Sequence, residues 1–158
     1  MGVSTSTKET TLHYFRDPLL DVVSSDKDVD LAGVIIVGTP QDNDSKYFLG
    51  ERVADWAEAM RLEGVIVTLE GWGNDHVDFA NTIEQLSKRG ICVSGLSFVG
   101  GEGFVVSNSY MDTIVDFCKS ESGYESGLVG ENTTDELDAK KALAYLKLKM
   151  NKTECGGR

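Results

Sequence analysis

Two short apolar runs, set one helix-length apart, constrain this chain more than anything else in it. Gly64-Val65-Ile66-Val67, leading to Leu69, and Ile91-Cys92-Val93-Ser94-Gly95-Leu96-Ser97-Phe98 are nearly continuous in apolar character. Such runs mark strands of a parallel sheet that is covered on both faces. Asp75 to Arg89 lies between them and places Phe79, Ala80, Ile83 and Leu86 on one stripe, the pattern of a helix with one buried side. Lys88-Arg89-Gly90 supplies a cationic last turn and a glycine stop. Strand, helix and strand with short connections predict parallel pairing through a right-handed crossover.

The same reading extends in both directions. Ala32-Gly33-Val34-Ile35-Ile36-Val37 is expected to be the first strand, closed by Gly38-Thr39-Pro40. Residues 44 to 62 are expected to be helical, with Leu49, Val53, Trp56, Ala57 and Met60 on the inner face and Glu51, Asp55 and Glu58 in water. Gly64 ends that helix. Downstream, Phe104-Val105-Val106 reads as short strand or extended chain. Met111 to Phe117, with β-branched Thr113-Ile114-Val115, favours a strand over the end of a helix. Thr133 and Glu136 fit a capping box for a helix over 134–150, whose apolar side is Leu137, Ala139, Ala142, Leu143, Leu146 and Met150. The expected fold is α/β: a three-layer, open, mostly parallel sheet with helices on both faces and a βαβαβ core. Residues 1–150 are expected to form a single domain with an N-terminal arm over 1–25, and 151–158 a polar tail.

Charge and length exclude several classes of function. The formal net charge of −11 argues against nucleic acid, whose phosphates require clustered Lys and Arg. No apolar run reaches the length of a membrane span, and the N-terminus shows no signal-peptide pattern, so a cytoplasmic protein is expected. Three cysteines, Cys92, Cys118 and Cys155, make an odd count without secretory context and point to reduced thiols.

The candidate site is the turn Thr68-Leu69-Glu70-Gly71-Trp72-Gly73-Asn74-Asp75-His76-Val77-Asp78-Phe79. In open α/β sheets, ligands bind at the carboxyl ends of the strands. This turn carries Glu70, Asn74, Asp75 and His76, with Asp78 just beyond. Gly71 and Gly73 can adopt positive φ or admit a close approach, and the following helix start favours an anion. The glycine spacing is neither a dinucleotide fingerprint nor a phosphate loop. The plainer alternative is a tight turn capped by Asn74 or Asp75. One histidine without a second His motif is a weak metal signal, and no metal site is assigned. Glu70, beside an apolar strand end, is a candidate for acid–base work or for a hydrogen bond to the next loop. Trp72, between two glycines, suits a contact with a ligand or a subunit. A second loop at the same edge would comprise Thr39, Gly100 and Gly101. The thiols are poor nucleophile candidates, and no residue is assigned as catalytic.

These residues carry a resemblance. Gly64 to Val67, then Glu70-Gly71-Trp72-Gly73-Asn74 and Val77-Asp78-Phe79, then Lys88-Arg89-Gly90-Ile91, resemble the matching block of the glycine, sarcosine and betaine reductase component B proteins and of D-proline reductase. Tyr110 to Asp116, Val129-Gly130-Glu131-Asn132-Thr133 and Asp138-Ala139-Lys140-Lys141-Ala142-Leu143 are similar to the D-proline reductase branch in particular, including a small protein that accompanies that enzyme and is related to its pyruvoyl-bearing subunit. The resemblance covers roughly residues 8 to 150. It implies an oxidoreductase system of amino-acid-fermenting anaerobes that opens D-proline reductively to 5-aminovalerate. There a pyruvoyl group, made by self-cleavage before a cysteine, binds the substrate amine, and a selenocysteine on another subunit attacks the ring. This chain departs from that pattern. None of Ile91-Cys92, Phe117-Cys118 or Glu154-Cys155 resembles the processing site, and no selenocysteine position is visible.

The resemblance therefore implies an accessory, non-catalytic subunit. No cofactor belongs to this chain; pyruvoyl and selenocysteine are expected on partner subunits. The partners would be the larger D-proline reductase subunits, with homo-oligomerisation left open and neither nucleic acid nor membrane involved. Two alternatives stand beside it: a module that binds proline or another amino acid, and an enzyme whose pyruvoyl site escapes recognition.

Overall fold

The computed structural model describes residues 17–69, 73–99, 103–123 and 133–152. Among these, three parallel strands form one sheet: β1 (Gly64–Thr68), β2 (Cys92–Ser97) and β3 (Ile114–Asp116), in that order across the sheet. Gly64 stands opposite Cys92 and Thr68 opposite Leu96, while Gly95 to Ser97 pair with Ile114 to Asp116. Four helices complete the described fold: α1 (Pro18–Ser25), α2 (Asn43–Ala59), α3 (Asp75–Lys88) and α4 (Glu136–Asn151). The α/β class is as expected.

The alternation of side chains across β1 and β2 explains the layers. Val65, Val67 and Val93 belong to a core with Ala54, Ala57, Leu69, Phe79, Ile83, Leu86 and Ile91, contributed largely by α2 and α3. Ile66 and Leu96 face the other way, into a core with Phe98, Val115, Phe117 and Ala142 of α4. All six residues of β2 are buried, as a central strand requires. Ser94 is tolerated there because its hydroxyl donates to the Ala142 carbonyl at 2.8 Å. β1 and β2 are parallel with α3 between them, and the expected stripe of Phe79, Ala80, Ile83 and Leu86 is buried. Its end is Gly90, at φ 76°.

Several features differ from the sequence reading. The first strand is absent: residues 31–40 carry no regular structure, and Ile36 is 93% exposed. β-branched composition favours a strand but supplies no pairing partner. In the extended segment expected at Phe104-Val105-Val106, the chain bends at Val105 and Val106. α2 buries Lys46, Gly50, Val53, Ala54 and Ala57, while Trp56 and Met60 stand in solvent. That face is turned because small residues at 50, 54 and 57 let α2 lie close against α3, where a Trp would not fit. The cap of α4 is Asp135, whose carboxylate accepts from the Asp138 amide while Asp138 returns the bond to Asp135, closing a capping box two residues beyond the expected one. Leu137 consequently points outward. Finally, Cys92 is disulfide-bonded and only Cys118 is free among the described cysteines, against the expectation of reduced thiols.

Within the arm, Asp17 caps α1 and Pro18 opens it, and α1 packs on α4. The arm up to residue 16, the segment 124–132 and the tail from 153 lie outside the described residues. No described helix is long and apolar enough to cross a membrane.

Candidate functional site

Parallel pairing puts the carboxyl ends of β1, β2 and β3 at one edge, and the chain leaves that edge three times. After β1 it enters α3 through Gly73 and Asn74. Gly73 holds φ 68°, a conformation that favours glycine over residues with a Cβ. Asn74 occupies the N-cap position, but its side chain makes no capping hydrogen bond. Gly73 and Asn74 instead use their carbonyls, which accept from the amides of His76 (3.0 Å) and Val77 (3.2 Å). Two of the first-turn amides are therefore already engaged, which weakens the helix start as an anion site. Asn74 itself is exposed.

Behind this turn lies a buried polar cluster. His76 is fully buried, and its Nδ1 accepts the Val105 amide at 3.2 Å. An accepting Nδ1 places the proton on Nε2 and leaves the ring neutral. Burial holds His76 below the usual histidine range, outweighing the Phe98 carbonyl and Asp75, which both favour protonation. Nε2 makes no hydrogen bond of standard geometry. Phe104 stacks over Phe79, with ring centroids 5.8 Å apart, and meets the His76 ring at 4.8 Å. Asn108 closes the same flap, donating to the Ala80 carbonyl at 2.8 Å.

Asp78, two residues further on, pairs with Lys46 of α2. Lys46 is completely buried, and one oxygen of Asp78 takes its ammonium while the other has no partner. Burial pushes the Asp78 carboxyl above the ordinary aspartate range, with Lys46 pulling the other way. Asn81 adds a second bridge between the helices, donating to the carbonyls of Lys46 (3.4 Å) and Tyr47 (3.3 Å).

A further group of charges occupies the exit from β3. Asp116 accepts from the amides of Val99 (3.1 Å) and Cys118 (2.9 Å), tying the chain after β2 to the chain after β3. Lys119 reaches Asp138 at 2.5 Å and Asp135 at 3.3 Å. Burial disfavours the Lys119 ammonium, yet these two carboxylates outweigh it and raise its pKa. The Asp138 amide, with help from Lys119, keeps Asp135 below the ordinary aspartate range.

The structure brings His76 and Asp78 to the same helix start as Gly73 and Asn74. It also separates them by access: Asn74 faces solvent, whereas His76 and Asp78 are interior. Thr39 is exposed, in a segment without regular structure. Glu70, Gly71, Trp72, Gly100 and Gly101 lie outside the described residues. Among the described residues no group of three or more His, Cys, Asp or Glu side chains is arranged to hold a metal ion. Lys46 and Phe104 are the members of the cluster that sequence reasoning leaves without a role. Lys46 nevertheless carries a signal, since it stands four residues before Gly50 on the stripe that continues through Val53, Ala54 and Ala57.

The chain is related to known proteins. The family of glycine/sarcosine/betaine reductase component B subunits matches over residues 2–116, which contain all three described strands and the whole of α1, α2 and α3. The chain is 44% identical to the D-proline reductase proprotein PrdA of Acetoanaerobium sticklandii over 92% of its own length and 23% of that protein's. It is 29% identical to the glycine reductase complex component B subunits alpha and beta of the same organism, over 73% of its own length and 28% of that protein's. The chain thus spans about a quarter of the length of the curated relatives it matches. No solved structure matches it.

Proposed function

Because the chain belongs to the family of glycine/sarcosine/betaine reductase component B subunits, we propose that it serves the D-proline reductase system as an accessory component that is not catalytic by itself. Its work is to present the turn Glu70–Asn74, at the carboxyl edge of the sheet, to a larger reductase subunit. The bond-breaking groups, pyruvoyl and selenocysteine, would then reside on those partners, and D-proline would be cleaved to 5-aminovalerate there.

The observation that carries this reading is how the titratable groups behind the turn are used. His76 is neutral, buried and engaged by Val105, and Asp78 is engaged by Lys46. Groups enclosed in this way support the shape of the turn more readily than they exchange protons with a substrate. The exposed Asn74, with its side chain free of capping, suits a contact.

The test is native capture of the tagged chain from an anaerobic lysate, followed by mass spectrometry. Recovery of the larger reductase subunits supports the proposal, and their consistent absence overturns it. Intact mass belongs to the same experiment: a chain cleaved before a cysteine and carrying a pyruvoyl terminus would make this an enzyme in its own right.

A second reading, binding of proline or a related amino acid, has one observation in its favour. The unpaired oxygen of Asp78 is a buried acceptor of the kind an ammonium satisfies. Calorimetry with both proline enantiomers separates the two readings, since the accessory role requires no heat.

A further inference from the structure

The stretch most strand-like in composition is the one the fold leaves unpaired. Val34 is 61% and Ile36 93% exposed. Edges and apolar strands left open in this way invite pairing. An open edge also exists: β1 pairs with β2 on one side and, among the described residues, with nothing on the other.

Both ends of the stretch are fixed, and their positions set its course. At its start, Asp26 and Asp28 hold Lys147 of α4, at 3.0 and 2.5 Å. This part of α4 lies at the foot of β1, where a Cβ on Gly64 would come within 3.0 Å of both Leu146 and Met150. At its end, Asp42 caps α2 by accepting the Ser45 amide at 2.8 Å. One turn later Lys46 is bound to Asp78, in the first turn of α3, at the head of the sheet. Residues 29–41 therefore run from foot to head, the direction of β1. They connect α1, packed on α4, to α2, packed on α3, and those two layers cover opposite faces of the sheet. A right-handed crossover from a strand beside β1 would set its helix next to α3, where α2 is found.

We infer that Ala32–Val37 closes onto the open edge of β1 as a fourth parallel strand, a strap supplied by the chain itself. Gly33 within it and Gly38 just after it stand in open space, since a Cβ on either would meet no atom within 4 Å, and they leave room for it to swing. Closure places Val34 and Ile36 on one face and Ile35 and Val37 on the other. It also delivers Thr39 to the head of the sheet, on the side of Gly73 and Asn74. A strand from a second copy is the competing occupant of the same edge. The inference does not depend on the proposed function.

Amide hydrogen exchange followed by NMR on the full chain is the test. Closure predicts at least hundredfold protection, relative to unstructured chain, at alternate amides of residues 33–37, with no dependence on protein concentration. Ile36→Asp should remove that protection while the helical circular dichroism persists; if this variant fails to fold, the exchange pattern of the unaltered chain still decides. Unprotected amides throughout 33–37 overturn the inference. So does protection that appears only as sedimentation shows a dimer, which would give the edge to a second copy.

Discussion

Lys46 and Asp78, 32 residues apart, form an ion pair sealed between α2 and α3, with the ammonium wholly removed from solvent. Desolvating two charges is costly, and their attraction offsets it only while both are present. The pair ties the start of α2 to the first turn of α3.

Removing one partner should therefore cost far more than removing both. Lys46→Met alone leaves a buried carboxylate and is expected to lose about 3–5 kcal/mol of stability, whereas Lys46→Met with Asp78→Leu should recover most of it. Urea denaturation of the two singles and the double measures the difference.

His76 predicts a pH dependence whose sign is fixed. Its folded pKa is depressed by burial, so the unfolded chain binds more protons as the pH falls below the unperturbed value of about 6.5. Its contribution to stability is complete above that value and is lost as the pH falls toward the folded pKa. His76→Phe leaves the Val105 amide unpaired and lowers stability overall, but it should flatten the slope between about pH 7 and pH 5. Denaturant midpoints at several pH values give both slopes.

Gly95 and Gly50 are positions of close approach. A Cβ on Gly95 would overlap Ile114 and come within 2.7 Å of Phe79, and one on Gly50 would overlap the Asn81 amide. Overpacking of this kind costs about 1–3 kcal/mol. Gly95→Ala and Gly50→Ala are each expected to fall in that range by thermal or chemical denaturation. Gly50→Ala should in addition free the Asn81 side chain from the carbonyls of Lys46 and Tyr47.

Asp135 closes the capping box of α4 and also faces Lys119. Asp135→Ala should cost about 1–2 kcal/mol, typical of a lost cap. Asp135→Asn, which keeps the acceptor, should cost distinctly less. Thermal unfolding of the two variants side by side checks the order.

Contact through the turn is tested by Trp72→Ala and Asn74→Ala. Under the proposed function, capture of the larger reductase subunits should fall at least tenfold for each. The unfolding midpoint of Asn74→Ala should barely move, because Asn74 is exposed and makes no cap.

The legible parts of the fold are those in which local pattern and burial agree. β1, α3 and β2 carry apolar runs and a single stripe, and Gly90 ends α3 with the positive φ its sequence context implies. The family relationship is legible for the same reason, since much of its signature lies in that unit. Elsewhere partners decide, and a single sequence does not display partners. Ala32–Val37 has strand composition and no strand beside it. α2 turns toward its small residues, because approach to α3 matters more than the size of Trp56 and Met60. At the candidate site, His76 and Asp78 stand out for chemistry, but the groups that occupy them come from far along the chain: Val105 is 29 residues from His76, and Lys46 is 32 from Asp78.

The face of the sheet that carries Ile66, Leu96, Val115 and Phe117 is roofed by α4, whose residues are translated after every described strand. On the ribosome, that surface lacks its α4 cover until Glu136–Asn151 emerge, and apolar surface exposed in this way favours aggregation. A nick or stop codon ahead of residue 136 should thus yield inclusion bodies rather than a smaller folded fragment.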